Sequence, residues 1–238
     1  MEDKISVIIP TYNRFKYVLN AIHYIKNQTH TNIEIIVIND CSTQKEYYEY
    51  EWKNVTIIHL PQNSKTLFGF PASGYVRNQG LKYATGKYVA FCDDDDIWLP
   101  NKLEIQIKKM IETGCKISST EGYIGYGIYN PSQHYWKYNS DYYYHQINDI
   151  HKNNGSTSLE YGFPDIWDLV FLQIHNCTLS SSVVIEKELL DKINNFKNIE
   201  TGKEDWDCWL RALEHTTMLY IKEPCIYYDN SHGDGRDY

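Results

Sequence analysis

The sequence predicts an α/β protein with a doubly wound, mostly parallel central sheet flanked by helices, folded as one domain. Three observations predict it. Short apolar runs rich in β-branched residues recur at 5–9, 33–38, 55–59 and 88–92, as strands buried on both faces do. Segments with helical spacing lie between them, the alternation expected of parallel sheets. Polar and acidic residues gather where the runs end: Thr11 with Tyr12, Asn39 with Asp40, and Asp93, Asp94, Asp95 and Asp96. Open α/β sheets bind ligands outside those strand ends.

Taken in order, the run 5–9 stops at Pro10-Thr11-Tyr12-Asn13-Arg14, and Val18, Ala21, Ile22 and Ile25 then repeat at helical spacing. The second strand, 33–38, leads to a weak helix over 44–51 and a third strand over 55–59. Residues 61–71 read as a loop, and 73–84 as a helix stopped by Gly86. The fourth strand, 88–92, runs into the four acids. Ile97-Trp98-Leu99-Pro100 follows, with Pro100 suited to a first helical turn. The acids are therefore expected on a strand-to-helix turn. Leu99, Leu103, Ile107, Met110 and Ile111 form one apolar stripe on the next helix.

Residues 116–120 read as a fifth strand. From 122 to 164 the pattern fails in a segment rich in Tyr, Asn, Gly and His. Its rings suit either a lid or acceptor platform that stacks on sugars, or an irregular surface segment covering the core. Residues 166–174 read as helical, 180–185 as strand and 186–193 as helix. Over 201–213, Trp206, Trp209, Leu210 and Leu213 mark the packed face of a last helix, with Glu204 and Asp205 in its first turn.

The chain has 238 residues, 42% of them hydrophobic and 23% charged, enough for a large core. A net charge of −8 argues against a binder of nucleic-acid phosphates or of anionic lipid. No apolar run approaches the roughly 20 residues of a membrane span, and the start, Met-Glu-Asp-Lys-Ile-Ser, lacks the plan of a signal peptide. Six cysteines without a C-x-x-C pair read as buried free thiols in a reducing cytoplasm. The missing G-x-G-x-x-G and G-x-x-x-x-G-K-[ST] leave no support for a dinucleotide fold or a P-loop.

Two acidic constellations carry chemistry. Four adjacent carboxylates repel one another; they suit a hard cation such as Mn²⁺ or Mg²⁺ bridging to phosphates, or else a solvated turn that caps a helix. Glu204 and Asp205 suit either helix-end electrostatics or general-base chemistry.

Together these segments resemble family 2 glycosyltransferases of the Rossmann-like GT-A fold. The blocks are 6–14, 37–42, Arg77-Asn78-Gln79-Gly80-Leu81 with 84–88, the D-x-D-like block 93–100, and Glu204-Asp205-Trp206 with Trp209-Leu210-Arg211. Each block alone is weak, but five in order at these spacings are specific. Residues 113–200 match only loosely. The resemblance implies a nucleotide-sugar donor, most often a UDP-sugar, and inversion at the anomeric carbon. It implies a nucleotide-sugar-binding part over 1–112 and an acceptor and base part over 113–238. Pro10, Thr11, Tyr12, Arg14 and Asp40 would line the nucleotide pocket, Arg77 would lie near the base or diphosphate, and Asp93 and Asp94 would face ribose and metal. Asp95 would be the principal ligand of Mn²⁺ or Mg²⁺, with Asp93, and His232 is a further candidate. Asp205, with Glu204 beside it, would be the catalytic base. Asn39 stands where the family often has an acid, which removes a charge near the pocket.

The expected function is thus a metal-dependent inverting glycosyltransferase acting on a glycan, lipid-linked saccharide or protein acceptor. It is expected to be cytoplasmic, touching a membrane only through its acceptor, and a monomer or homodimer. The rival class is a non-catalytic binding module of the same fold for nucleotide-sugar or glycan, distinguished by the absence of UDP release. A metal-dependent phosphohydrolase would want a nucleophilic Asp at the first strand end, where Pro10-Thr11-Tyr12 stands instead.

Overall fold

A computed structural model describes residues 2–232. Its centre is β1 (Ile5–Thr11), flanked by β2 (Ile33–Asn39) and β4 (Tyr88–Phe91), with β3 (Thr56–His59) beyond β2; all four run parallel. The side chains of these strands alternate between two cores. Ile8, Val89 and Phe91 enter one core, while Ile5, Val7, Ile9, Tyr88 and Ala90 enter the other. Both faces are covered, which is why the strands read as continuous apolar runs.

Helix α1 (Phe15–Lys26) buries Val18, Ala21, Ile22 and Ile25, the face expected from spacing. The short α2 (Glu46–Glu49) puts Tyr47 under the first strand end. Residues 61–71 are not wholly a loop: α3 (Ser64–Phe68) forms there, with Asn63 accepting from the Lys65 and Thr66 amides. Helix α4 (Ser73–Leu81) packs Val76 and Leu81 on the sheet. Gly86, before β4, allows the close approach of the two central strands. A Cβ there would lie 2.6 Å from the Ser6 amide nitrogen and 2.8 Å from the Lys4 carbonyl oxygen, and neither backbone atom can swing aside.

After the four acids the chain does not enter a helix directly. Ile97 and Trp98 form β5 (Ile97–Trp98), so the acids sit on a turn between two strands, closed by Asp96 N donating to Asp93 O. Trp98 is fully buried and its Nε1 donates to Ser181 O at 2.9 Å, which fixes the strand. Pro100 stays outside α5 (Lys102–Thr113), with Asn101 between them. Leu103, Ile107 and Met110 are buried as expected, but Ile111 is 62% exposed, at the edge of the stripe.

The second half completes the sheet with mixed polarity. β6 (Ile117–Gly125) is longer than expected and carries the short β7 (Trp136–Lys137) on one side. The Tyr-rich segment is partly helical: a π-turn over Tyr138–Tyr142 leads into α6 (Tyr144–Asn153). Buried Glu121 anchors it, accepting from Asn139 N, Ser140 N and Tyr220 Oη. Residues 166–174 divide into β8 (Ile166–Trp167) and α7 (Leu169–Ile174). Residues 180–182 turn as a 3₁₀ helix rather than a strand, and only β9 (Val184–Glu186) follows, before α8 (Lys187–Lys192) and α9 (Glu204–Leu213). β10 (Met218–Asp229) had no counterpart among the expected elements. Lys222-Glu223-Pro224 interrupts its apolar run, and the structure absorbs that interruption as register shifts around Pro224. The sheet order is β3-β2-β1-β4-β9-β6-β10-β5, with β9 antiparallel to both neighbours and β6 parallel to β10.

Lys102, fully buried on α5, gives a stability prediction. Its Nζ donates to Gln106 Oε1 at 2.7 Å and lies 4.1 Å from the Trp98 ring centre. Burial drives its pKa down from 10.5 to about 7, opposed by the Cys225 and Cys92 thiols. Between those values the unfolded chain binds a proton that the folded one does not. Stability therefore rises with pH across that window, by up to about 1.4 kcal/mol per unit. Lys102→Met, of similar length and uncharged, is expected to raise the melting temperature at pH 7 and remove that slope. Parallel melting curves for both proteins between pH 7 and 9.5 would contradict it.

Candidate active site

The ends of β1 and β4 meet through hydrogen bonds. Thr11 Oγ1 donates to Asp94 Oδ2 at 2.7 Å and lies 2.5 Å from the Tyr47 hydroxyl. Arg14, 5% exposed, donates from Nη1 to Asp94 and from Nη2 to Asp95, both at 3.0 Å. The two arms of one planar guanidinium thus hold adjacent carboxylates in fixed orientation. Arg14 Nη2 also donates to the His232 carbonyl.

A second buried arginine reaches further. Arg77, on α4, donates from Nη2 to Asp93 at 2.8 Å and from Nη1 to Glu204 at 2.9 Å. Asp93 opens the turn after β4; Glu204 begins α9, 127 positions after Arg77. The bridge brings the acid turn and the late acidic pair to one place. Beside Glu204, Asp205 accepts from Ser180 Oγ at 2.8 Å and from Trp206 N at 2.6 Å.

The end of β10 supplies the third wall. His232 Nδ1 lies 3.5 Å from Asp95 Oδ2, and its Nε2 lies 3.1 Å from the Tyr228 hydroxyl. Tyr138 packs edge-on to Tyr228, with centroids 5.5 Å apart. A cavity of about 200 Å³ is lined by Pro10, Arg14, Arg77, Asp93, Asp94, Asp95, Ser73 and His232. It adjoins, at Pro10 and Ser73, a smaller one lined by Thr11, Tyr12, Asp40 and Ser64. Asp40 is held at that second opening by Ser64 N and Oγ, at 2.8 and 2.7 Å, and by Asn63. Asn39 lies behind it, its amide 2.9 Å from His59 Nδ1.

Electrostatics mark the acid turn as strained toward neutrality. Burial, then the neighbouring Asp95 and Asp93, pushes Asp94 up to about 7, although Arg14 opposes this. Asp95 is raised chiefly by burial and then by Asp93, again against Arg14. Asp96, with one buried oxygen lacking a partner among the described residues, is raised well above the carboxylate range by burial and Asp95. Burial also raises Asp205, while Arg77 and Ser180 pull it back. Crowded carboxylates of this kind fit a hard divalent cation, which would supply the positive charge the two arginines only partly provide. Asp95 and His232 are near neighbours, yet no three His, Cys, Asp or Glu among the described residues converge as a ready-made metal centre.

The model of the family described as Glycosyl transferase family 2 matches residues 6–164. The chain belongs to that family. The structure has the GT-A fold: S. aureus TarS 1–349, solved with UDP-GlcNAc, superposes with a TM-score of 0.67 over 97% of this chain and 60% of its own, at 22% identity. The mannosyltransferase PcManGT of Pyrobaculum calidifontis, solved with GDP-Man and Mn²⁺, gives 0.65 over 100% of this chain and 59% of its own, at 16% identity. Among curated proteins, the Escherichia coli UDP-Glc:alpha-D-GlcNAc-diphosphoundecaprenol beta-1,3-glucosyltransferase WfgD is 36% identical over 108 residues, 45% of this chain and 41% of that protein. The chain spans less than two thirds of the length of the relatives it matches.

In this family 2 chain the structure brings Pro10, Arg14, Arg77, Asp93, Asp94, Asp95 and His232 to one cavity, with Glu204 bonded to its rim. Thr11, Tyr12 and Asp40 border the smaller opening. Two supports were not singled out in the sequence. Ser180 bonds Asp205, and Ser181 Oγ accepts from Asp93 N at 2.9 Å, so one serine turn braces both acidic sets. The only signal was a triple serine ahead of an apolar run. Tyr228 was hidden in the interrupted strand before His232. No described helix is long and apolar enough to cross a membrane.

Proposed function

We propose that the chain is a metal-dependent inverting glycosyltransferase, moving a sugar from a nucleotide-sugar, in first place a UDP-sugar, to an acceptor hydroxyl. The observation that carries this reading is Arg77 bridging Asp93 and Glu204, because it joins strand-end acids to the helix that holds Asp205. TarS with UDP-GlcNAc supports the donor class, PcManGT with Mn²⁺ supports the metal, and the polyprenyl-linked substrate in the name of WfgD supports a lipid-linked saccharide acceptor.

In this mechanism the nucleotide enters along Pro10, Thr11, Tyr12 and Asp40, and the diphosphate meets the acid turn. Asp95, with Asp93 and His232, would hold Mn²⁺ or Mg²⁺, which when bound would offset negative charge on the departing diphosphate. Arg14 fixes Asp94 and Asp95 in register for that role. Tyr228 bonds His232 Nε2 and leaves Nδ1 facing Asp95. The acceptor hydroxyl attacks the anomeric carbon from the opposite face, and Asp205 takes its proton. Ser180 and the Trp206 amide hold the Asp205 carboxylate in place. No covalent intermediate forms, so one displacement inverts the anomeric centre.

The test is a thermal-shift screen of nucleotide-sugars with Mn²⁺, followed by measured UDP release in the presence of candidate acceptors. At a hundredfold excess over Kd a true donor adds about 2.7 kcal/mol, a rise of roughly 5–10 °C for a chain of this size. Absence of any shift across UDP-, GDP- and dTDP-sugars would overturn the reading. A shift without nucleotide release with any acceptor would make the protein a binding module instead.

A further inference from the structure

We infer that Arg77 is a positioning residue: a strut that sets the distance between the donor-side acids and the base helix through Glu204. The inference rests on the proposed transferase reading and adds how that site is held at its working width. Arg77 is 4% exposed, and its two Nη atoms go to different carboxylates, Asp93 and Glu204, on elements far apart in sequence. A planar fork bonds both ends at a fixed spacing; an ammonium can also reach two carboxylates, but on its flexible stem it offers no such fixed span. The Phe196 ring, 5.7 Å from the guanidinium carbon, closes one side of it.

The surrounding residues serve the same clamp. Asn78, next on α4, donates from Nδ2 to Phe196 O at 2.8 Å and accepts from Phe196 N at 3.1 Å, so its amide grips the segment leading to α9. Gly74, one turn before Asn78, is where that segment touches α4. A Cβ there would lie 2.8 Å from Lys197 O, 3.0 Å from Glu204 Cγ and 3.1 Å from Phe196 Cβ. Gly74, Arg77 and Asn78 thus share the α4 face that fastens 196–204, and Glu204 is the last point fastened before Asp205. A shift of the order of 1 Å in a reacting group can cost ~100-fold in rate, so a fastening of this kind acts on turnover rather than on donor binding.

Three variants test it: Glu204→Gln, which keeps the shape and removes the ion pair; Arg77→Lys, which keeps the charge and removes the fork; and Gly74→Ala, which wedges the segment outward with no change of charge. Two readouts are taken from the intact protein. One is amide hydrogen exchange over 196–206 without substrate; the other is steady-state transfer with the donor found in the screen. The expected result is at least fivefold faster exchange over 196–206 in all three, with exchange in β1 and β4 unchanged. Turnover is expected to fall about 10- to 100-fold in all three, while in Glu204→Gln and Gly74→Ala, which leave Arg77 itself in the donor cavity, the donor KM moves less than threefold. The Arg77→Lys/Glu204→Gln double variant is expected to be no slower than the worse single one, because one unit has been cut twice. Unchanged exchange over 196–206, or multiplying losses in the double variant, would overturn the strut. If the unsubstituted protein transfers no sugar, the transferase reading fails, and the exchange measurement alone decides whether Arg77 fastens the segment.

Discussion

Asp205→Asn is expected to lower sugar transfer by ~10²–10⁴-fold, the range lost with a general base, while donor affinity stays within about twofold. The amide oxygen still accepts from Trp206 N, its NH2 donates to Ser180 Oγ, and the side chain still fits the first turn of α9, so the cleft keeps its shape. It cannot take a proton from the acceptor hydroxyl. The pH dependence expected of the unsubstituted protein follows from the same group. Burial raises the Asp205 pKa above the ordinary carboxylate value, with Arg77 acting against it. The base works only when deprotonated, so kcat/KM is expected to fall as pH drops through that raised pKa. In Asp205→Asn this acidic limb is expected to vanish along with the rate. Measured transfer and donor binding for the two proteins decide the matter; a variant that turns over normally would remove Asp205 from the base role.

Chelation is expected to have the next largest effect. Dialysis against EDTA should stop transfer, by roughly 10³-fold if the cation contributes several kcal/mol to leaving-group stabilisation, and Mn²⁺ or Mg²⁺ should restore it. The physical ground is the acid turn itself. Three of its four carboxylates are raised by burial and mutual repulsion, and the guanidinium of Arg14 is shared between two of them. A divalent cation placed there would offset the negative charge that the two arginines leave uncompensated. Asp95→Asn is expected to raise the Mn²⁺ concentration needed for half-activation by at least tenfold, because it removes the one negative charge that the Asp95–His232 pair would present to the cation. Equal rates with and without EDTA would end the metal assignment, leaving the Asp205 chemistry to stand or fall on its own test.

The two acidic sets were not equally readable. The quartet was plain because it interrupts an apolar run, and the strand before it had to point its carboxyl end at a ligand crevice. The turn geometry was not readable. Ile97 and Trp98 are apolar enough for either strand or helix, and their pairing with β10, more than a hundred residues away, chose strand. The same distance effect hid β10, whose Lys222-Glu223-Pro224 breaks the pattern although the backbone continues through a bulge. In 122–164 the aromatic rings gave no period, and Glu121 organised the π-turn through bonds that no local pattern announces.

The amino-acid order by itself determined the first four strands, the face of α1, the family to which the motifs belong, and part of the face of α9, where Trp209 and Leu213 are buried as expected but Cys208 and Ala212 take the places of Trp206 and Leu210. Each of these rests on interactions within a few residues or on burial common to both faces of a sheet. Only the tertiary structure decided that Arg77 would link Asp93 to Glu204, that Ser180 and Ser181 would brace both acidic sets, and that His232 would reach Asp95. Those contacts join residues from 16 to more than a hundred positions apart. Their partners are fixed by how helices and strands pack around two cores, and no window of sequence contains both ends of such a contact.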